Sequence, residues 1–139
     1  MIELRCVTCA YKDKEVLKNI NLKTTSHINI LGANGSGKST LAKTICGIIP
    51  YGGDVILNST NIKELSLKTK AKTISYIPAK LDVYDEHISV DEFVLLGRFA
   101  YKESFFSYTK KDEALRDKYI KLLGIKHLKN HTLNSLSSG

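Results

Sequence analysis

The chain has 139 residues, 42% of them apolar and 25% charged, with a formal net charge of +7. That composition is globular, and no apolar run approaches the ~20 residues needed to span a bilayer. The charge is spread, +3 over residues 1–60 and +4 over 61–139, without the interleaved aromatics of a single-strand-binding face, so a solvated lysine-rich surface is expected and no nucleic acid partner.

Met1 leads straight into residues 2–8, which alternate with Ile2, Leu4 and Cys6 on one face and Glu3 and Arg5 on the other, as a half-exposed strand would. With no signal segment ahead of it, the chain reads as soluble and cytosolic. Cys6 and Cys9 have C-x-x-C spacing, but no second pair or placed histidine completes a zinc site, so ordinary buried thiols are expected. A charged turn follows at Lys12 to Glu15. Val16 to Lys23 then alternates through Ile20 and Leu22, which makes an antiparallel pair with the first run. Tyr11 stands just before the turn, where its ring either stacks on a nucleobase or closes the strand by packing.

Next comes HINILGANGSGKSTLAKT, from His27 to Thr44. Ile28, Ile30 and Leu31 read as a buried strand, and Leu41, Ala42, Ile45, Cys46 and Ile48 as the apolar side of a helix beginning near Gly37. Between them, Gly32, Ala33, Asn34, Gly35, Ser36, Gly37, Lys38 and Ser39 fill G-x-x-x-x-G-K-[ST], followed by Thr40. Glycines let successive amides converge on a phosphate, and the helix end adds its positive dipole. Lys38 supplies a point charge for the terminal phosphates, and Ser39 a hydroxyl ligand for Mg²⁺.

Gly47 to Gly53 ends this helix and turns the chain. Asp54 to Asn58 reads as a short strand, 61–72 as a polar connector with a helical turn, and Thr73 to Ile77 as a strand stopped by Pro78. Ser89-Val90-Asp91-Glu92 is a capping box that starts a helix carrying Val90, Phe93, Val94 and Leu96 up to Gly97. Thr109 to Asp112 resembles a second cap, after which Leu115, Tyr119, Leu122 and Leu123 keep helical spacing to Gly124. Between the helices, Phe99, Tyr101, Phe105, Phe106 and Tyr108 cluster, either toward a partner or into the packing of the lobe. Residues 1–79 thus read as a P-loop α/β core with an antiparallel β subdomain, and 80–139 as a helical subdomain ending in Leu136-Ser137-Ser138-Gly139.

Aromatic, phosphate loop, helical lobe and terminal LSSG, in that order, resemble the N-terminal part of the ATP-binding cassette of ABC transporters. GANGSGKST matches the Walker A loop, Tyr11 takes the place of the adenine-stacking aromatic, and LSSG is similar to the start of the LSGGQ signature. The resemblance implies ATP and Mg²⁺ as cofactors, held by Tyr11, residues Asn34 to Thr40 and, from a second nucleotide-binding subunit in a head-to-tail pair, Ser137 and Gly139. It also implies a transmembrane permease as partner and a peripheral place on the inner face of the cell membrane. Ser89 to Glu92 and Leu95 to Arg98 resemble subunits that energise uptake of ferric siderophores, haem or cobalamin. Non-transport ABC switches and other P-loop enzymes, such as small-molecule kinases, are the alternatives.

Three departures stand out. Ala79 follows Tyr76-Ile77-Pro78 where the family carries the Q-loop glutamine, and a methyl group neither ligates a cation nor orients water. The usual glycine before the Walker A strand is missing from Thr25-Ser26-His27. No Walker B strand or catalytic glutamate precedes Gly139, so the chain reads as a truncated cassette without a catalytic base. Such a chain is expected to bind ATP–Mg²⁺ weakly and hydrolyse it negligibly. It is also expected to leave Ile28 and Ile30 on an unpaired edge.

Overall fold

The computed structural model describes residues 1–80, 85–102 and 107–136. The chain divides into two compact units, Met1–Ile77 and Pro78–Gly139.

In the first unit, β1 (Ile2–Tyr11) and β2 (Lys14–Thr24) form the expected antiparallel hairpin, joined at Lys12 and Asp13. Lys12 takes φ 52°, the positive value that a two-residue turn requires for its strands to twist together. β3 (Gly52–Leu57) pairs with the other edge of β1, and β4 (Thr60–Asn61) with β3, giving an antiparallel sheet of order β2-β1-β3-β4. Leu4, Val7, Cys9, Leu17, Val55 and Ile62 are buried together, with Leu41 and Ile45 of α1 (Lys38–Ile45) packed on them. A second helix, α2 (Leu67–Thr73), starts at Ser66, whose hydroxyl accepts from Thr69 N.

Simple alternation fails at Cys6. The register of β1 shifts between Leu4 and Val7, Cys6 adopts φ 49°, and its side chain turns outward while Val7 becomes fully buried. This bulge is held from both neighbouring strands. Asn21 Oδ1 accepts from Cys6 N at 2.9 Å, and on the other side Gly53, at φ 74°, lies against the carbonyls of Arg5 and Cys6. Cys6 is therefore not the buried thiol expected of it. Cys9 is buried, and Cys46 is half-buried, with its thiol pushed up by desolvation.

Two expected strands are not formed. Residues 27–33 and 74–78 carry no ladder: neither stretch pairs with any of the four strands, although Ile74 packs on the core of the sheet. Ile28 and Ile30 are consequently 40% and 41% exposed, and Leu31 and Ile77 about fully so. The apolar edge expected at Ile28 and Ile30 is present as exposed side chains rather than as a strand.

In the second unit both caps close as boxes. Ser89 Oγ accepts from Glu92 N while Glu92 Oε2 accepts from Ser89 N at 2.9 Å, starting α3 (Val90–Leu96). Thr109 and Asp112 do the same for α4 (Lys110–Leu122), with Asp112 Oδ2 taking Thr109 N at 3.0 Å. On α4 the face turned inward is that of Asp112, Arg116 and Ile120. Tyr119, Leu122 and Leu123, which the spacing places on an apolar stripe, are exposed. Asp112 is buried with Arg98, whose Nε lies at 2.8 Å. Phe99 and Tyr101 are exposed, and Arg98 stacks over the Tyr101 ring at 3.9 Å. Phe105 and Phe106 lie outside the described residues.

Candidate functional site

The helix α1 begins one residue after Gly37, at Lys38, and no side chain caps it. Its first amides are therefore unclaimed by a capping oxygen, which is what an anion-binding helix end needs. Gly37 sits at φ 94°, a conformation that glycine adopts without a Cβ penalty, and Leu41 N closes the first turn on Gly37 O at 2.8 Å. The preceding loop is tight: Ser36 N donates to Ala33 O at 3.2 Å, and a Cβ on Gly32 would come within 2.9 Å of Ser36 Oγ.

Lys38 folds back over this loop. Its ammonium donates to Gly32 O at 2.7 Å and to Ala33 O at 2.6 Å, using two of its three donors. Among the described residues no carboxylate pairs with it, so its charge is available to an anion. The Ser39 hydroxyl is exposed next to it. Together Asn34, Gly35, Gly37, Lys38, Ser39 and Thr40 line a concavity of about 330 Å³. A positive charge, a helix end and a compact glycine loop around a polar hollow suit a polyphosphate with a divalent cation. The cradle fits that group on its own geometry, since Cβ atoms on Gly32 and Gly37 would intrude on Ser36 and Val16.

The structure brings six of the sequence-derived residues into that hollow and places Ser36 in the turn beneath it. Tyr11 lies at the hairpin end of β1 opposite Lys14, its ring 48% exposed and so open to stacking. Ser137 and Gly139 lie outside the described residues. Ala79 is exposed. One lining residue, Val16 of β2, was missed: it belongs to no motif, and strand alternation alone does not reveal that it reaches the loop.

The second unit holds a larger groove of about 630 Å³, formed by Val90, Phe93, Val94, Leu123 and Leu128 with His131 at its wall. Its lining is mostly apolar, with His131 and Ser135 as the polar side chains. Among the described residues no group of three or more His, Cys, Asp or Glu side chains is gathered to hold a metal.

Comparison with known proteins bears on the same region. Residues 17–139 match the family profile described as ABC transporter. The manganese transport system ATP-binding protein MntB of Halalkalibacterium halodurans is 31% identical over 132 residues, covering 93% of this chain and 51% of that protein. The hemin import ATP-binding protein HmuV of Pseudoalteromonas translucida is 30% identical over 138 residues, covering 96% of this chain and 51% of that one. This chain thus spans about half the length of these curated relatives. The solved dimeric ATP-binding cassette MJ0796, in a post-hydrolysis state with ADP and Pi, superposes with a TM-score of 0.82 at 23% identity over 99% of this chain and 63% of that one. The profile match over nearly the whole chain, on a fold shared with a solved cassette, shows that the chain belongs to the ABC transporter family and forms part of its P-loop nucleotide-binding domain.

Proposed function

We propose that this chain carries the nucleotide-binding loop of the ATP-binding subunit of an importer. The carrying observation is the uncapped start of α1 beside the Lys38 ammonium, around a hollow of about 330 Å³. In this reading the amides from Asn34 to Thr40 and Lys38 hold the phosphates of ATP, Ser39 faces Mg²⁺, and Tyr11 offers its exposed ring to the adenine. When bound, Mg²⁺ neutralises phosphate charge. Ser137 and Gly139 serve the nucleotide of a second, head-to-tail subunit. In the complete protein, ATP hydrolysis drives uptake through a transmembrane permease at the inner face of the cell membrane. No helix among the described residues is long and apolar enough to cross a membrane itself.

The solute we assign is a metal chelate: a ferric siderophore, haem or cobalamin. Relatives named for manganese transport and hemin import support the metal class, and the Ser89–Glu92 and Leu95–Arg98 segments support the chelate. Titration calorimetry of the chain with ATP–Mg²⁺ tests the binding. Heat is expected, with Lys38→Ala weakening affinity at least about tenfold through loss of a charge-assisted contact. No heat, or an unchanged affinity in the variant, overturns the assignment.

A further inference from the structure

Of the residues lining the phosphate-loop hollow, Val16 is the one that comes from outside 34–40. Its position has a second aspect. A Cβ built on Gly37 would meet Val16 Cγ1 at 3.0 Å, Leu17 Cδ2 at 3.4 Å and Val16 O at 3.5 Å. Strand β2 therefore lies directly behind the residue at which α1 begins. Leu17 is buried in the core, and it pairs with Cys9 across the hairpin. That anchorage makes the strand a rigid wall, not a loose neighbour.

From this we infer that Val16 is a positioning residue for phosphate binding: its branched side chain backs Gly37 and holds the first amides of α1 turned into the hollow. The inference rests on the nucleotide-binding reading above and specifies how the loop is aimed. Gly37 at φ 94° has no side chain of its own to wedge it in place, and no capping side chain ties the helix start. Three bonds organise the loop from within, Ser36 N to Ala33 O and Lys38 Nζ to the Gly32 and Ala33 carbonyls, and none of them touches Gly37, whose carbonyl only accepts from Leu41 N in the first turn of α1. The contact from Val16 closes that gap. A valine suits the task because its two γ-methyls leave few rotamers, so the wall it presents is stiff.

The alternative role is a contact to the nucleoside, since Val16 also faces the hollow. Tripolyphosphate with Mg²⁺ separates the two, because it keeps the phosphates and lacks sugar and base. The experiment is calorimetry on the full chain, as wild type, Val16→Ala and Val16→Thr, with tripolyphosphate–Mg²⁺ and with ATP–Mg²⁺. Val16→Ala is expected to weaken both ligands by the same factor, about tenfold, because misaimed amides penalise any polyphosphate. Val16→Thr keeps the branched shape and is expected to stay within about twofold for both. Weakening of ATP alone assigns Val16 to the nucleoside and overturns the inference, as does loss in Val16→Thr equal to that in Val16→Ala. If wild type binds neither ligand, the nucleotide reading itself fails; if wild type binds both and Val16→Ala binds both equally well, only the positioning role fails. Far-UV circular dichroism of each variant establishes that the fold is retained; should Val16→Ala not fold, Val16→Leu, which keeps the bulk and moves the branch, is measured in its place with the same expectation.

Discussion

Replacing Gly53 by alanine is expected to destabilise the first unit more than any other glycine substitution there away from the bulge. The added Cβ would stand 2.3 Å from Cys6 O and 2.4 Å from Arg5 O, both backbone atoms of the neighbouring strand. Those carbonyls cannot swing aside as a side chain would, so β1 and β3 have to separate at the bulge. Two effects add. A non-glycine residue at φ 74° incurs about 1–2 kcal/mol, and forcing extra atoms into a packed site about 1–3 kcal/mol. The sum, about 2–5 kcal/mol, is a large fraction of the ~5–15 kcal/mol by which native domains are stable. Urea denaturation followed by circular dichroism reads it, and with a slope of about 2 kcal/mol/M the midpoint is expected to fall by about 1–2.5 M. Gly35→Ala is the control, since Gly35 has φ 79° but nothing within 4 Å of its added Cβ. It should lose the conformational part only. Equal midpoints for the two variants would refute the claim that Gly53 is required by the closeness of the Cys6 bulge.

Two further outcomes follow from buried polar groups. Thr44 is fully buried on α1 and its hydroxyl has no hydrogen-bond partner among the described residues, so Thr44→Val is expected to raise stability by about 1 kcal/mol, seen as a higher urea midpoint; a lower midpoint would mean the hydroxyl is satisfied. The Asp112 carboxyl is drawn from its ordinary 3.8 down to about 2, first by the Arg98 hydrogen bond and then by those from Thr109. Because the folded value lies below the unfolded one, its stabilisation is complete above pH 4 and is lost as pH falls toward about 2. The stability gap between the chain and Asp112→Asn should therefore narrow over that window, and a gap independent of pH would contradict the assignment.

The parts legible in the sequence are those governed by neighbours a few residues away. Both capping boxes follow from a hydroxyl three positions before a carboxylate, and each closes as that spacing dictates. The hairpin is likewise local, a short turn between two alternating runs. The phosphate loop is legible because its glycines, lysine and serine are contiguous. What escaped is non-local. The bulge at Cys6 depends on Asn21 from one strand and Gly53 from another, and no window around Cys6 contains either. On α4 the buried stripe follows Asp112, which the Arg98 partner draws inward, so an apolar count selects Leu122 and Leu123 and misses Ile120. Val16 shows the same limitation at the site, since its neighbour Gly37 is distant in sequence.

The missing ladder at 27–33 bears on how the cradle is supported. In a parallel arrangement a phosphate loop is carried by the strand that enters it, and Ile28, Ile30 and Leu31 have the composition for that task. In this chain, which spans about half the length of its relatives, Ile28, Ile30 and Leu31 are exposed. The described residues also support the loop from behind. Leu41 and Ile45 seat α1 on the antiparallel sheet, Thr44 is enclosed beside them, and Gly37 meets Val16 and Leu17 of β2. The loop then closes on itself through Lys38, whose ammonium binds the carbonyls of Gly32 and Ala33. That closure has a chemical consequence. The same cation that shapes the loop is the one with which a phosphate would pair, and charge-assisted bonds to phosphate are stronger than bonds to neutral carbonyls. Lys38 can keep one carbonyl and give its other donors to the ligand, so binding and loop order are coupled through a single side chain. Substituting it therefore removes an attraction and loosens the cradle together.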